Sequence, residues 1–353
     1  MQLQTRRDDI LATRLVETRP PEPQEGQVLL RVDRFGYSAN NVTYAAAGET
    51  LGYWRFFPTG EAAWGMVPVW GFADVEASRV EGIEAGERVF GYLPPAGHLN
   101  VEPVRVSTEQ FMDGAGHRAE LPAGYNIYRR VEKASEDAEA RHMLLYPLYV
   151  TSWCLADALE RADRFGAERI VVASASSKTA IGLAFALSRH GSRVPVVGLT
   201  SPRNTAFVQD LALYDEVLAY DALEELDPYI PTTIVDMSGD AAMLGRLHAH
   251  LGEAMRQTLD VGLTHWEAPR RDDRRDRERS TFFFAPAHIQ ERIREWGAAE
   301  FAARTTTFMD EAIEDSRRWM TLEPIAGLEP LAEVHREIAR NESDAAKGFV
   351  VTP

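Results

Sequence analysis

The stretch Ile170–Leu187, IVVASASSKTAIGLAFAL, constrains the fold more than any other part of this chain. A short apolar run, of the kind found in strands covered on both faces, passes through the turn Ser174–Thr179 into an apolar segment of helical length. The alternation continues on both sides. SWCLADALERADRFG reads as a helix closed by Gly166, and TAIGLAFALSRHG as one closed by Gly191. VPVVGLT, TTIVDMSG and QTLDVGL read as strands, with a helix around MLGRLHAHLGEAM. Such alternation predicts a doubly wound parallel sheet, which we place over residues 148–278.

A strand–turn–helix junction gathers backbone N–H groups at the positive end of a helix, where a phosphate binds well. Here the turn carries Ser174, Ser176, Ser177, Lys178 and Thr179, and its first glycine comes only at Gly182. The hydroxyls are small donors, and Lys178 is one of only three lysines in the chain. A triphosphate-binding loop would need glycines at the places held by Val172 and Ser177, so that reading fails. A plain capped turn and a dinucleotide loop both fit the turn itself. The next strand separates them. Where an acid would hold the ribose hydroxyls of NAD, the chain reads VVGLTSPRN. Thr200, Ser201, Arg203 and Asn204 offer hydroxyls, a guanidinium and an amide, which suit the 2′-phosphate of NADP(H).

Residues 1–147 have a different texture: short alternating segments such as GQVLLRVDRFGYS and VPVWGFADVEASRV, separated by Gly and Pro turns, predict a small β-barrel or sandwich. PRRDDRRDRERS, Pro269–Ser280, holds six arginines and four acids and reads as a solvated connector. With 38 basic against 54 acidic residues the net charge of −16 argues against nucleic-acid binding. No apolar run is long enough for a membrane span, no secretory signal is read at the start, and the one cysteine, Cys154, excludes a disulfide framework. The expected location is the cytoplasm.

Taken together these segments resemble the medium-chain dehydrogenase/reductase superfamily over nearly the full length. PPEPQEGQVLLRVDRFGYSANNVTYAAAG is similar to its opening turn, strand and substrate-side loop, and Gly86-Glu87-Arg88-Val89 to its Gly-Asp-Arg-Val sequence. LYVTSWCLADAL resembles the helix entering the cofactor domain, VDMSGD the strand end near the cofactor, and LEPLAEVHREIARNESDAAKGFVV the closing helix and strand. The resemblance implies an α/β chain with a GroES-like β-barrel catalytic domain (1–147 and 279–353) and a doubly wound Rossmann cofactor domain. It also implies that Thr151 lies near the nicotinamide and that Ser238 and Gly239 pass by the cofactor. Zinc-dependent members carry a cysteine near Ser38 and Gly-His-Glu near Gly71; this chain has Ser38 and Gly71-Phe72-Ala73, so no metal is expected. The zinc-independent quinone- and enoyl-reductase-like branch is the better match.

Without zinc, a polar side chain must meet the charge that develops on the acceptor. Asn41, Tyr44 and Tyr53 are the catalytic candidates, a phenol being able to donate a proton or a hydrogen bond. The expected partner is an apolar or conjugated small molecule, with a homodimer left open. Hydride transfer to an activated C=C or a quinone ranks first. Carbonyl reduction and NADP binding without turnover are the alternatives. Phe282–Phe284 read as core and cleft wall, and His248 and His250 as surface residues.

Overall fold

The structure, a computed structural model, describes residues 1–189, 194–262, 272 and 274–353. Gly191, the expected end of one helix, Leu263 of QTLDVGL, and residues 269–271 and 273 of the arginine-rich stretch lie outside these. The chain divides into two compact units, Met1–Leu144 with Met320–Pro353, and Leu145–Trp319.

The first unit is GroES-like and built on strand Val28–Tyr37, which pairs with Val69–Ser78, His98–Val101 and Lys347–Thr352. Its apolar side chains alternate inward: Val28, Leu30, Val32 and Phe35 are all nearly inaccessible. Arg88, in the segment that resembles Gly-Asp-Arg-Val, is buried and bonds Asp33, Asp74 and Glu139 at 2.7–2.8 Å. It ties two strands to the first turns of helix Glu136–Arg161, which begins well before the segment SWCLADALERADRFG. A buried guanidinium needs this many acceptors. His335 joins the last helix of this unit, Leu328–Ala339, to the core: Nε2 meets the Ile10 carbonyl and Nδ1 the Tyr37 hydroxyl, each at 2.7 Å.

The second unit holds a six-stranded parallel sheet in the order Glu216–Ala219, Val196–Thr200, Arg169–Ala173, Thr232–Asp236, Met255–Asp260, Ser280–Phe282. Chain order reverses at Arg169–Ala173, which makes the carboxyl ends of it and its neighbours the place for a ligand. The three central strands, Val196–Thr200, Arg169–Ala173 and Thr232–Asp236, are buried along their whole length, as strands covered on both faces must be.

Three expectations need correction. Residues 279–319, assigned to the first domain, belong to the second unit. Strand Ser280–Phe282 extends the parallel sheet, and the helices Ala285–Trp296 and Ala298–Ser316 pack their aromatics on the second unit's own, with Trp153 against Trp296 and Phe301. Phe282 is exposed and stacks on Phe284, while Phe283 covers His288, so the three do not form a core. His248 is not at the surface: it shares the buried face of helix Ala241–Leu251 with Leu244, Leu247 and Leu251. The Asp276 N–H donates to its Nδ1, so Nε2 carries the proton toward Thr258 Oγ1 at 2.9 Å. Burial lowers its pKa to about 4 and keeps it neutral. His250 is part-buried, with Nε2 2.7 Å from the Leu226 carbonyl. Of the charged stretch, Arg274 pairs with Asp272, Arg279 with Asp276, and Arg275 with Asp260 at a strand end. The first two pairs are internal to the stretch, and the third ties its described residues to the sheet.

Candidate functional site

In the second unit, strand Arg169–Ala173 enters the turn through Ser174, whose φ of +61° is the left-handed conformation usually left to glycine. Its N–H donates to the Tyr220 hydroxyl at 2.9 Å, and the Tyr214 hydroxyl donates to the Ala175 carbonyl at 3.0 Å. Two tyrosines from far along the chain therefore brace a turn that glycine would form unaided. Gly198 makes room, since a Cβ there would meet Ala175 at 2.9 Å and Tyr214 at 3.1 Å. The N–H groups of Ala175 and Ser177 go to Leu199 and Ser174 carbonyls. Ser177 Oγ accepts from the Ala180 N–H and caps helix Lys178–Arg189. Lys178 and Thr179 open that helix, both part-exposed.

The hydroxyls expected to face a ligand form one cluster. Ser176 Oγ accepts from Asn204 Nδ2 at 3.0 Å and from Thr200 Oγ1 at 3.3 Å, joining the turn to the end of the second strand. Beside them Ser201 Oγ is buried with no hydrogen-bond partner, and Arg203 is exposed. An orphaned buried hydroxyl two residues before an exposed arginine is an arrangement that a phosphate oxygen would complete.

Other expected residues are spent elsewhere. Ser238 is fully buried and gives its hydroxyl to Asp236 at 2.6 Å, so it faces inward rather than toward a ligand. Asp236 also accepts from the Ser238 and Gly239 N–H groups, and burial raises its pKa to about 6. Gly239, at φ +69°, makes that turn possible. Thr151 Oγ1 donates to the Pro147 carbonyl one turn back in helix Glu136–Arg161, so its hydroxyl is used within the helix. The next residue, Ser152, donates its Oγ hydroxyl to the Thr179 carbonyl at 2.7 Å and fixes the loop's helix. Gly182 lets the two helices close up, since a Cβ would meet Tyr149 at 2.6 Å and Ser152 at 2.7 Å.

In the first unit, Asn41 completes a capping box with Ser38: its Oδ1 accepts from the Ser38 N–H and its Nδ2 donates to the Pro68 carbonyl. Both polar ends are used, so Asn41 positions helix Ala39–Ala46 and does not present itself to a substrate. That helix carries Tyr44, whose hydroxyl accepts from Trp70 Nε1 at 3.3 Å. Tyr53 stands 4.6 Å from it, ring to ring, with its hydroxyl 3.5 Å from that of Tyr125. Burial raises the pKa of Tyr44 and of Tyr53 well above that of a free phenol, so both are donors at neutral pH.

The family model described as "Protein of unknown function (DUF2855)" matches residues 35–344. The chain belongs to that family. No curated protein matches it in sequence. Among solved structures, this DUF2855 chain is similar to CurA from Vibrio vulnificus in complex with NADPH (TM-score 0.63, 15% identity, 96% of this chain and 94% of that one). It is similar as well to mycobacterial Rv1454c complexed with NADPH (0.62, 14%, 100% and 99%). The quinone oxidoreductase of Pseudomonas syringae pv. tomato DC3000 aligns at 0.58 with 14% identity over 100% and 99%. These likenesses establish the fold of the DUF2855 chain, a GroES-like unit together with a Rossmann unit.

The positions where zinc-dependent members carry ligands have structural work here. Ser38 caps a helix, and Gly71–Ala73 lie inside strand Val69–Ser78, where a Cβ on Gly71 would strike the Arg34 carbonyl at 2.3 Å. Among the described residues no three His, Cys, Asp or Glu side chains are grouped for a metal. Elemental analysis of the purified DUF2855 protein is expected to find no stoichiometric zinc, and exhaustive chelation to leave its activity intact; zinc lost together with activity would refute this.

Proposed function

We propose that this protein is a zinc-independent, NADPH-dependent oxidoreductase that delivers hydride to an activated C=C or a quinone. The observation that carries the reading is the second strand's end: Ser201 Oγ buried without a partner, two residues before Arg203, with no acid where NAD would need one. The NADPH complexes of two fold relatives and the quinone oxidoreductase activity in the name of a third support it. Bound NADPH supplies a hydride. Ser201, Arg203 and Asn204 hold the 2′-phosphate, the Ser174–Thr179 turn faces the pyrophosphate, and Lys178 adds its charge to one or the other. In the first unit, phenols kept protonated by burial donate to the acceptor's oxygen. No metal ion is needed for that stabilisation.

NADPH is expected to bind roughly 10–100-fold more tightly than NADH, the worth of one charge-assisted hydrogen bond. Arg203→Ala should erase most of the difference. Fluorescence titration with both cofactors measures it, and equal affinities in the parent protein would remove the assignment. NADPH consumption against enones, quinones and aldehydes tests the reaction itself. Turnover of aldehydes alone would favour carbonyl reduction, and binding without turnover a non-catalytic role.

A further inference from the structure

One side chain outside the Ser174–Thr179 turn decides whether the turn keeps its shape. Ser174 is 6% exposed and sits at φ +61°, a conformation that a residue with a Cβ adopts only at a cost. Its N–H donates to the Tyr220 hydroxyl at 2.9 Å, across 46 residues of chain. Were Ser174 to relax to a negative φ, the peptide after it would swing. The Ala175 N–H would then lose the Leu199 carbonyl, and Ser176 Oγ would lose Thr200 and Asn204. The backbone angle of one residue therefore sets where the rest of the turn points.

Tyr220 is itself firmly held. It follows strand Glu216–Ala219 directly, and its ring packs on the buried cluster that includes Val171, Leu199 and Leu244. Its carbonyl accepts from Arg246 Nη1 at 3.3 Å, and both carboxylate oxygens of Glu224 hold that guanidinium at 2.7–2.8 Å. Burial, with Asp236 and Asp240 adding to it, raises the phenol's pKa and keeps it uncharged. Those two acids belong to the turn after strand Thr232–Asp236, the next one along the carboxyl edge of the sheet. One phenol thus stands beside both turns that flank the reversal of strand order. Tyr214 acts one residue further on, at the Ala175 carbonyl.

We propose that Tyr220 is a positioning residue for the cofactor: its hydroxyl holds Ser174 in the left-handed conformation that glycine would take unaided, and the turn's affinity for the cofactor phosphates depends on that bond. The proposal rests on the NADPH reading above and assigns part of that affinity to a residue far outside the loop. The strain at Ser174 and the bond from Tyr220 offset one another. Serine is tolerated at this place because the phenol is there, and a glycine would make the phenol dispensable.

Tyr220→Phe keeps the ring and removes the acceptor, and NADPH should then bind roughly 10-fold more weakly, the scale of one hydrogen bond. Adding Ser174→Gly to that variant should restore affinity to within about threefold of the parent, because glycine holds a positive φ without a brace. A tyrosine needed only for packing would give no such rescue. Ser174→Gly should also fail to rescue Tyr214→Phe, whose lost bond is to Ala175. Unchanged NADPH affinity in Tyr220→Phe, or a double variant as weak as the single one, would overturn the proposal while leaving the oxidoreductase reading in place. A second arm needs no cofactor. In the free protein, amide hydrogen exchange at Ala175 and Ser177, which bond to the Leu199 and Ser174 carbonyls, should quicken in Tyr220→Phe and slow again in the double variant. A parent protein that binds no dinucleotide would overturn the cofactor reading itself, and this arm would still decide the brace, equal exchange in parent and Tyr220→Phe refuting it.

Discussion

Lys178→Ala is expected to weaken NADPH binding roughly 10- to 100-fold while leaving the fold intact. The lysine opens helix Lys178–Arg189, directly after a turn whose hydroxyls bond to the end of the second strand. A charge at that place adds to the positive end of the helix, and one charge-assisted hydrogen bond contributes about 1.5–3 kcal/mol. Each 1.4 kcal/mol is about tenfold in affinity. Alanine is a better helix former than lysine, so the helix itself should not suffer. Fluorescence titration gives the affinity. Comparing adenosine 2′,5′-bisphosphate with AMP in the same variant locates the contact at the 2′-phosphate or the pyrophosphate side. A variant that binds NADPH like its parent would return the turn to the role of a capped strand–helix junction.

Asp113→Ala should be strongly destabilising to the first unit, at about 3–5 kcal/mol, the usual cost of stripping one partner from a buried ion pair. Asp113 and Arg118 are 3% and 1% exposed, and Asp113 Oδ1 also accepts from the N–H groups of Glu102 and Ala115. Without it the guanidinium keeps, among the described residues, the Phe56 carbonyl, Tyr128 and its aromatic neighbours. A melting temperature lower by roughly 6–20 °C is expected for a domain of this size. Asp113→Asn, which keeps an acceptor but not the charge, should fall between. The double change Asp113→Leu with Arg118→Met should cost less than Asp113→Ala alone, since it leaves no orphaned charge. Calorimetry measures all three, and a shift under about one degree for Asp113→Ala would contradict the argument.

The first of these expectations was readable in the sequence and the second was not. Lys178 stands in a local pattern, strand to turn to helix, and its charge and spacing are visible along one line. Arg118 and Asp113 are ordinary residues of a turn-rich segment until folding buries both. The cofactor loop shows the same division. Its hydroxyls were legible, but Tyr214 and Tyr220, which hold it, come 39 and 46 residues from their loop partners. Asn41 was read as a substrate contact because its type and place allowed it; only the bonds to Ser38 and Pro68 reveal a capping residue. His248 had a partial signal, since Leu244, Leu247 and Leu251 mark the buried face on which it lies, yet spacing from His250 alone pointed outward.

The sequence by itself determined what depends on neighbours along the chain: the parallel sheet of short apolar strands, the turn that opens a helix, and the absence of an acid after the second strand. Hydrophobic period and turn chemistry act over a few residues, so a linear reading captures them. Only the tertiary structure decided which hydroxyls were left without partners. Ser201 is an orphan, and Ser238 is not, because hydrogen-bond satisfaction and desolvation depend on groups brought together from distant segments. The same holds for residues 279–319, whose strand and aromatic helices join the parallel sheet's unit because their partners there are Met255–Asp260 and Trp153.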